Sequence, residues 1–164
     1  MAEEIVEIEG GRCLQGEVRL SGAKNAVLPM LVAACLGEEP TILENVPIQL
    51  NDVRLLIELL QSLGANVQID GTIVSCARGD FSGGELSASR AGQIRYSLLF
   101  LGLAAALRKQ IFLPQPGGCQ IGDRKYDLHL MGLRKLGALV EEQEDGILLQ
   151  PQELTGNLID FYLP

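Results

Sequence analysis

Leu63-Gly64-Ala65-Asn66-Val67 returns further along the chain as Leu136-Gly137-Ala138-Leu139-Val140, and this recurrence decides how the chain is organised. Upstream, Gly16-Glu17-Val18-Arg19-Leu20-Ser21 resembles Gly84-Glu85-Leu86-Ser87-Ala88-Ser89, at a closely similar interval. Two offsets that close together mark an internal repeat of about 70 residues. A third beginning, Gly156-Asn157-Leu158-Ile159-Asp160, follows Gly84 by much the same interval.

Each unit reads as strand, helix, strand, helix and hairpin. Residues 17–20 alternate polar and apolar, the pattern of a half-buried strand. Residues 26–36 are apolar on every side, as a buried helix is, and Pro29 fits that helix only in its first turn. Residues 41–44 form a short β-type run. Val53, Leu56, Ile57, Leu60 and Leu63 recur with helical spacing, with Asp52 as N-cap and Gly64 just past the C-terminus. Residues 66–69 and 72–76 flank Asp70-Gly71, a strong hairpin signal. The second unit offers the apolar segment 98–107 and a hairpin of 139–142 with 147–150 around Asp145-Gly146.

Composition narrows the class. The chain has 164 residues, 47% hydrophobic and 21% charged, which suits a globular protein and excludes a disordered acidic tail. With 21 Asp and Glu against 13 Lys and Arg, the mean field repels phosphate, so nucleic acid is not an expected partner. An anionic ligand must be captured by a local basic cluster. No run reaches the ~18–20 apolar residues of a membrane helix, and the acidic N-terminus does not resemble a targeting peptide. A cytoplasmic protein with reduced cysteines is the expectation. Cys13, Cys35, Cys76 and Cys119 are scattered and accompanied by a single histidine, which argues against zinc.

Three segments carry chemistry. Ser21-Gly22-Ala23-Lys24-Asn25 precedes an apolar helix, where unpaired N–H groups and the Lys24 charge suit a phosphate or carboxylate. A solvated lysine fits the same residues. The segment from Leu113 to His129 surrounds Cys119 with three glycines and two prolines, and Arg124 and Lys125 follow it closely. A loop thiol near cations and a helix start has a lowered pKa and greater reactivity; a buried inert cysteine is the plainer reading, and is adopted for Cys35 and Cys76. His129, one turn into the following helix, is as a lone histidine more often a structural hydrogen-bonder. Arg95 occupies the second copy's equivalent of the Lys24 region; a repeat about a pseudo-axis offers a way for the two to converge, while a solvated arginine is the plainer reading of the residue by itself.

Ser21-Gly22-Ala23-Lys24-Asn25-Ala26, Pro116-Gly117-Gly118-Cys119, Ile121-Gly122-Asp123-Arg124 and Asp127-Leu128-His129 resemble, in this order, the UDP-N-acetylglucosamine enolpyruvyl transferase (1-carboxyvinyltransferase, MurA) family of the EPSP synthase superfamily. The resemblance runs from about Ile8 to the end. It implies an α/β fold of repeated βαβαββ units in an inside-out α/β barrel, two units complete and a third cut short. It also implies transfer of the enolpyruvyl group of phosphoenolpyruvate to the 3-hydroxyl of UDP-N-acetylglucosamine with release of phosphate, the first committed step of peptidoglycan synthesis. No cofactor is implied. By matching position, Lys24 and Asn25 contact phosphoenolpyruvate, with Arg124 near its phosphate. Arg95 and the segment Arg124, Lys125, Tyr126, Asp127 and Leu128 contact the nucleotide sugar, and His129 lines the same site. Cys119 matches the general acid that fosfomycin alkylates. Protonating an enol methylene needs a positioned acid, and an anionic substrate needs converging cations.

The resemblance divides the chain into 1–15, a strand segment of the family's second domain; 16–83, the first unit; 84–155, the second unit with the Cys119 loop; and 156–164, the start of a third. Lys125-Tyr126 departs from the Pro-aliphatic pair of the family. Family members have two domains of three units each, with the active site between them; the aspartate base on the sugar hydroxyl and a phosphate-side arginine come from the second domain. The isolated chain is therefore expected to be inactive. Two alternatives stand: a non-catalytic sugar-nucleotide-binding or self-assembling module forming homo-oligomers, and a 3-phosphoshikimate enolpyruvyl transferase-like enzyme, against which the Pro-Gly-Gly-Cys loop argues.

Overall fold

In the computed structural model, residues 5–11, 13–117 and 125–161 are described. Helix α1 (Lys24–Ala34) buries Val27, Leu28, Leu31, Val32 and Ala34. Pro29 is its sixth residue, not a first-turn residue as the sequence suggested. The missing amide leaves the Asn25 carbonyl without its i+4 donor, one turn from the helix start. After strand β1 (Thr41–Leu43), helix α2 (Asn51–Ser62) buries its apolar face through Val53, Leu56, Ile57 and Leu60, as the spacing predicted. Asp52 is not its N-cap. Leu50 holds the extended cap conformation, and Asp52 lies inside the first turn, where a carboxylate still complements the helix dipole.

Gly64 ends α2. Its φ of +95° lets its N–H reach the Gln61 carbonyl while that of Ala65 reaches Leu60, both at 3.0 Å, a Schellman closure. Strands β2 (Asn66–Asp70) and β3 (Ile73–Ala77) then pair antiparallel. β1 joins the other edge of β3, giving the order β1-β3-β2.

The second half continues with strand β4 (Gly84–Glu85), a single turn α3 (Ala88–Ala91) and a 3₁₀ turn at Arg95–Leu98. It then runs through helix α4 (Leu99–Ala106), strand β5 (Ile111–Pro114), helix α5 (Asp127–Lys135) and strands β6 (Leu139–Gln143) and β7 (Gly146–Gln150). Its sheet has the order β4-β5-β7-β6, with β4 parallel to β5 and the other pairs antiparallel.

The two ladders share a register. β2 and β3 start at Asn66 and Ile73, and β6 and β7 start at Leu139 and Gly146, so both strands of the hairpin recur at one and the same offset. Thr41 opposes Cys76 in the first sheet, and Ile111 opposes Leu149, the repeat equivalent of Cys76, in the second. Gly137 ends α5 as Gly64 ends α2, its N–H on Arg134 and that of Ala138 on Leu133, both at 3.0 Å. Arg134 adds two bonds to the Val140 carbonyl, at 3.1 and 3.0 Å, tying α5 to β6.

Three expectations shift. The two-residue connections are Gly71-Thr72 and Glu144-Asp145, because Asp70 pairs with Ile73 and Gln143 with Gly146; the Asp-Gly pairs straddle the strand ends. Residues 16–20 form no strand, and Val18 and Leu20 are 86% and 82% exposed. A strand exists only where a neighbour takes its backbone hydrogen bonds: β4 finds β5, whereas 16–20 is unladdered and β1 lies at a sheet edge. Residues 156–160 likewise form no strand.

One apolar core spans both halves. Leu28, Leu31, Leu56, Leu59 and Leu60 join Phe100, Leu101, Ile111 and Leu113, all fully buried. Each such side chain contributes about 1.5–3 kcal/mol. Buried Ser97 donates to the Ile94 carbonyl at 2.8 Å, which offsets the cost of taking its hydroxyl out of water.

Candidate functional site

Lys24 opens α1, and Arg95 opens the 3₁₀ turn leading into α4; the repeat places both cations at helix starts. Lys24 Nζ lies 2.9 Å from Asp52 Oδ2, linking the first turns of α1 and α2. Both side chains keep solvent contact, 44% and 32% exposed, so water screens the pair. Asn25, the next residue, is exposed at the positive end of α1.

Arg95 points elsewhere. Its Nη2 donates to the Lys125 carbonyl at 3.0 Å. That bond brings it to the entry of α5, whose first three residues are Asp127, Leu128 and His129. Tyr126 precedes this helix, and its hydroxyl bonds Gln115 Oε1 at 3.4 Å. Gln115 is itself anchored by its N–H to the Asp145 carbonyl at 3.0 Å. The side-chain pair thus bridges the end of β5 and the start of α5. Gly117 packs its backbone against Gly92, leaving no room for a Cβ.

Arg95, Tyr96, Leu98, Leu99 and His129 line a cavity of about 310 Å³. It offers a guanidinium for an anion, an imidazole and a phenol for hydrogen bonding, and a leucine floor for an apolar or planar group. A wider cleft of about 560 Å³ lies at the connector between the halves, lined by Arg78, Asp80, Phe81, Leu107 and Lys109 among others. Among the described residues, none of the sequence-predicted ones lines it. The smaller cavity is the candidate site, because it gathers Arg95 and His129 beside the 125–129 segment.

The structure therefore unites Arg95, Lys125, Tyr126 and His129 and joins Lys24 to Asp52. Asp127 and Leu128 lie on the first turn of α5, partly exposed. Cys119 and Arg124 lie outside the described residues. Sequence reasoning missed Leu98 and Leu99, which read as the start of an apolar helix, and also Tyr96 and Gln115. It also missed the role of Asp52, whose position before an amphipathic helix signalled a cap instead.

Comparison with known proteins places the chain in a family. The family model for EPSP synthase (3-phosphoshikimate 1-carboxyvinyltransferase) matches residues 8–163. UDP-N-acetylglucosamine 1-carboxyvinyltransferase 2 of Caldanaerobacter subterraneus subsp. tengcongensis is 38% identical over 158 residues, 96% of this chain and 38% of that protein. The UDP-N-acetylglucosamine 1-carboxyvinyltransferase of Koribacter versatilis is 42% identical over 159 residues, 94% of this chain and 36% of the relative. Among solved structures, the enolpyruvyl transferase NikO from Streptomyces tendae aligns with a TM-score of 0.70 and 25% identity, covering 89% of this chain and 32% of its own. EPSP synthase from Acinetobacter baumannii, at 20% identity and a TM-score of 0.58, covers 80% of this chain and 32% of its own, and shares the fold. The chain spans less than two-fifths of the length of these curated relatives. The match across residues 8–163 is decisive: the chain belongs to the EPSP synthase (3-phosphoshikimate 1-carboxyvinyltransferase) family.

Proposed function

We propose that this chain supplies the general-acid half of an enzyme that transfers the enolpyruvyl group of phosphoenolpyruvate to the 3-hydroxyl of UDP-N-acetylglucosamine in the cytoplasm, committing the sugar to peptidoglycan. The observation that carries this reading is the 3.0 Å bond from Arg95 to the Lys125 carbonyl, which holds a guanidinium beside the 125–129 segment and His129. The names of the curated relatives support UDP-N-acetylglucosamine as the acceptor and a carboxyvinyl group as the group transferred.

In this reading Lys24, Asn25 and Arg124 bind phosphoenolpyruvate, where converging cations offset the carboxylate and phosphate charge. Arg95, Arg124, Lys125, Tyr126, Asp127 and Leu128 bind the nucleotide sugar, with His129 supporting. Cys119 delivers a proton to the enol methylene, and the sugar hydroxyl, giving its own proton to a base, adds to the adjacent carbon. The adduct then loses phosphate from that carbon and a proton from the new methyl group, which restores the double bond. The base on that hydroxyl belongs to a second domain, in the portion of the relatives this chain does not match. Residues 16–83 and 84–155 are two units of an inside-out barrel; 1–15 belongs to a second-domain sheet and 156–164 opens a third unit.

The test is phosphate release by the isolated chain with both substrates. No release above a Cys119→Ala control is expected, and turnover would overturn the assignment of the base. A self-assembling module is the second reading, favoured by exposed Val18, Leu20 and Ile42. Light scattering decides it: a monomer sets it aside, a dimer supports it.

A further inference from the structure

Cys35 and Cys76 stand 41 positions apart in the chain, in an apolar helix and a strand, and nothing in their spacing links them. The fold brings them together. Cys35 is the C-cap residue of α1, and Cys76 lies in β3 between Thr41 of β1 and Val67 of β2. Their sulfurs are 3.4 Å apart and both side chains are fully buried. Both sulfurs also lie within reach of the Leu31 carbonyl, at 3.5 and 3.6 Å, so the two thiols and one acceptor form a single buried cluster. Neither residue takes part in the proposed reaction.

We propose that Cys35 and Cys76 form an oxidant-responsive dithiol, a modification site at which a peroxide converts the pair into a disulfide joining the end of α1 to β3. A disulfide needs its sulfurs at ~2.05 Å, so closing the pair takes a movement of about 1.4 Å at one helix end. Cys35 is well placed to give it, since the residues that follow are exposed from Leu36 to Pro40. The two sulfurs share a hydrogen bond in which either thiol can be the donor, so whichever ionises first is the nucleophile. Its thiolate attacks one peroxide oxygen, the O–O bond breaks, and hydroxide leaves to give a sulfenic acid. The other cysteine, as its thiolate, then attacks that sulfur, the S–O bond breaks, and a second hydroxide leaves. Two thiols and one hydrogen peroxide give one disulfide and two waters. Because both sulfurs are buried, the step waits on local opening at the 35–40 connector, and exposed Cys13 reacts sooner.

The test uses the full chain and hydrogen peroxide. Trypsin leaves each cysteine on its own peptide: 13–19, 25–54, 55–78 and 110–124. Mass mapping under non-reducing conditions is expected to show a linked 25–54/55–78 pair that dithiothreitol dissolves. It should appear after oxidation of the 13–19 peptide and be accompanied by a melting temperature raised by roughly 4–16 °C. Cys76→Ser is expected to lose both signals; if it fails to fold, Cys35→Ala serves the same purpose. The proposal is overturned if peptides 25–54 and 55–78 remain unlinked while 13–19 oxidises, if they link instead to 13–19 or 110–124, or if the linked form melts no higher than the reduced one.

Discussion

Replacing Gly64 by alanine strikes the fold where both halves use the same closure. Gly64 stands at a φ of +95°, a conformation that costs an L-residue about 1–2 kcal/mol. Crowding adds to this: a Cβ there would meet the Asp80 carbonyl oxygen at 2.5 Å and its carbon at 2.9 Å. These are backbone atoms that cannot swing away, and relieving such a clash costs roughly a further 1–3 kcal/mol. Gly71 is the natural control. Its φ of +58° is also left-handed, but a Cβ there meets nothing within 4 Å, so Gly71→Ala carries the backbone cost alone. Gly137, the repeat partner of Gly64, falls between them, its Cβ 3.3 Å from the Glu153 carbonyl. The difference between Gly64→Ala and Gly71→Ala is thus about 1–3 kcal/mol, or roughly 2–12 °C in melting temperature for a chain of this size. Thermal unfolding followed by circular dichroism reads it directly. Equal melting temperatures, or a lower one for Gly71→Ala, would refute the close approach of the 78–82 connector to the α2 terminus.

Leu28→Ala removes a fully buried side chain from α1 and is expected to cost about 2–5 kcal/mol in urea unfolding; a loss under ~1 kcal/mol would place Leu28 outside the core. Asp52→Asn breaks the half-exposed Lys24 pair and is expected to change stability by less than ~1 kcal/mol, with a larger loss speaking against its solvent screening. Fosfomycin is expected to label Cys119 poorly in the isolated chain, for want of the second domain, and stoichiometric adduct in the mass spectrum would show a half-site already organised.

Much of the fold was legible because its signals are local. The spacing of Val53, Leu56, Ile57 and Leu60 fixes the buried face of α2, and Gly64 and Gly137 end their helices by a backbone rule that needs no distant partner. Strands are different. Residues 16–20 alternate as a strand should, yet alternation supplies no ladder, and only 84–85 of the two repeated starts finds a neighbour. The hairpins were readable but their turns moved by one residue, since cross-strand register outweighs the preference of Asp-Gly. In the site, Arg95 and His129 were visible as residue types; their meeting depends on the path of the chain from β5 to α5. Tyr96 and Gln115 carried no separate signal, and the Cys35–Cys76 contact arises from packing a helix end on a sheet.

The claim at the centre is that Arg95 and the 125–129 segment form a nucleotide-sugar half-site, and calorimetric titration of the isolated chain with UDP-N-acetylglucosamine tests it most directly. The expected result is saturable binding that Arg95→Ala weakens by roughly 10- to 150-fold, the value of a charge-assisted hydrogen bond, with the melting temperature of the ligand-free chain nearly unchanged. No binding, or equal affinity in the Arg95→Ala chain, would contradict it.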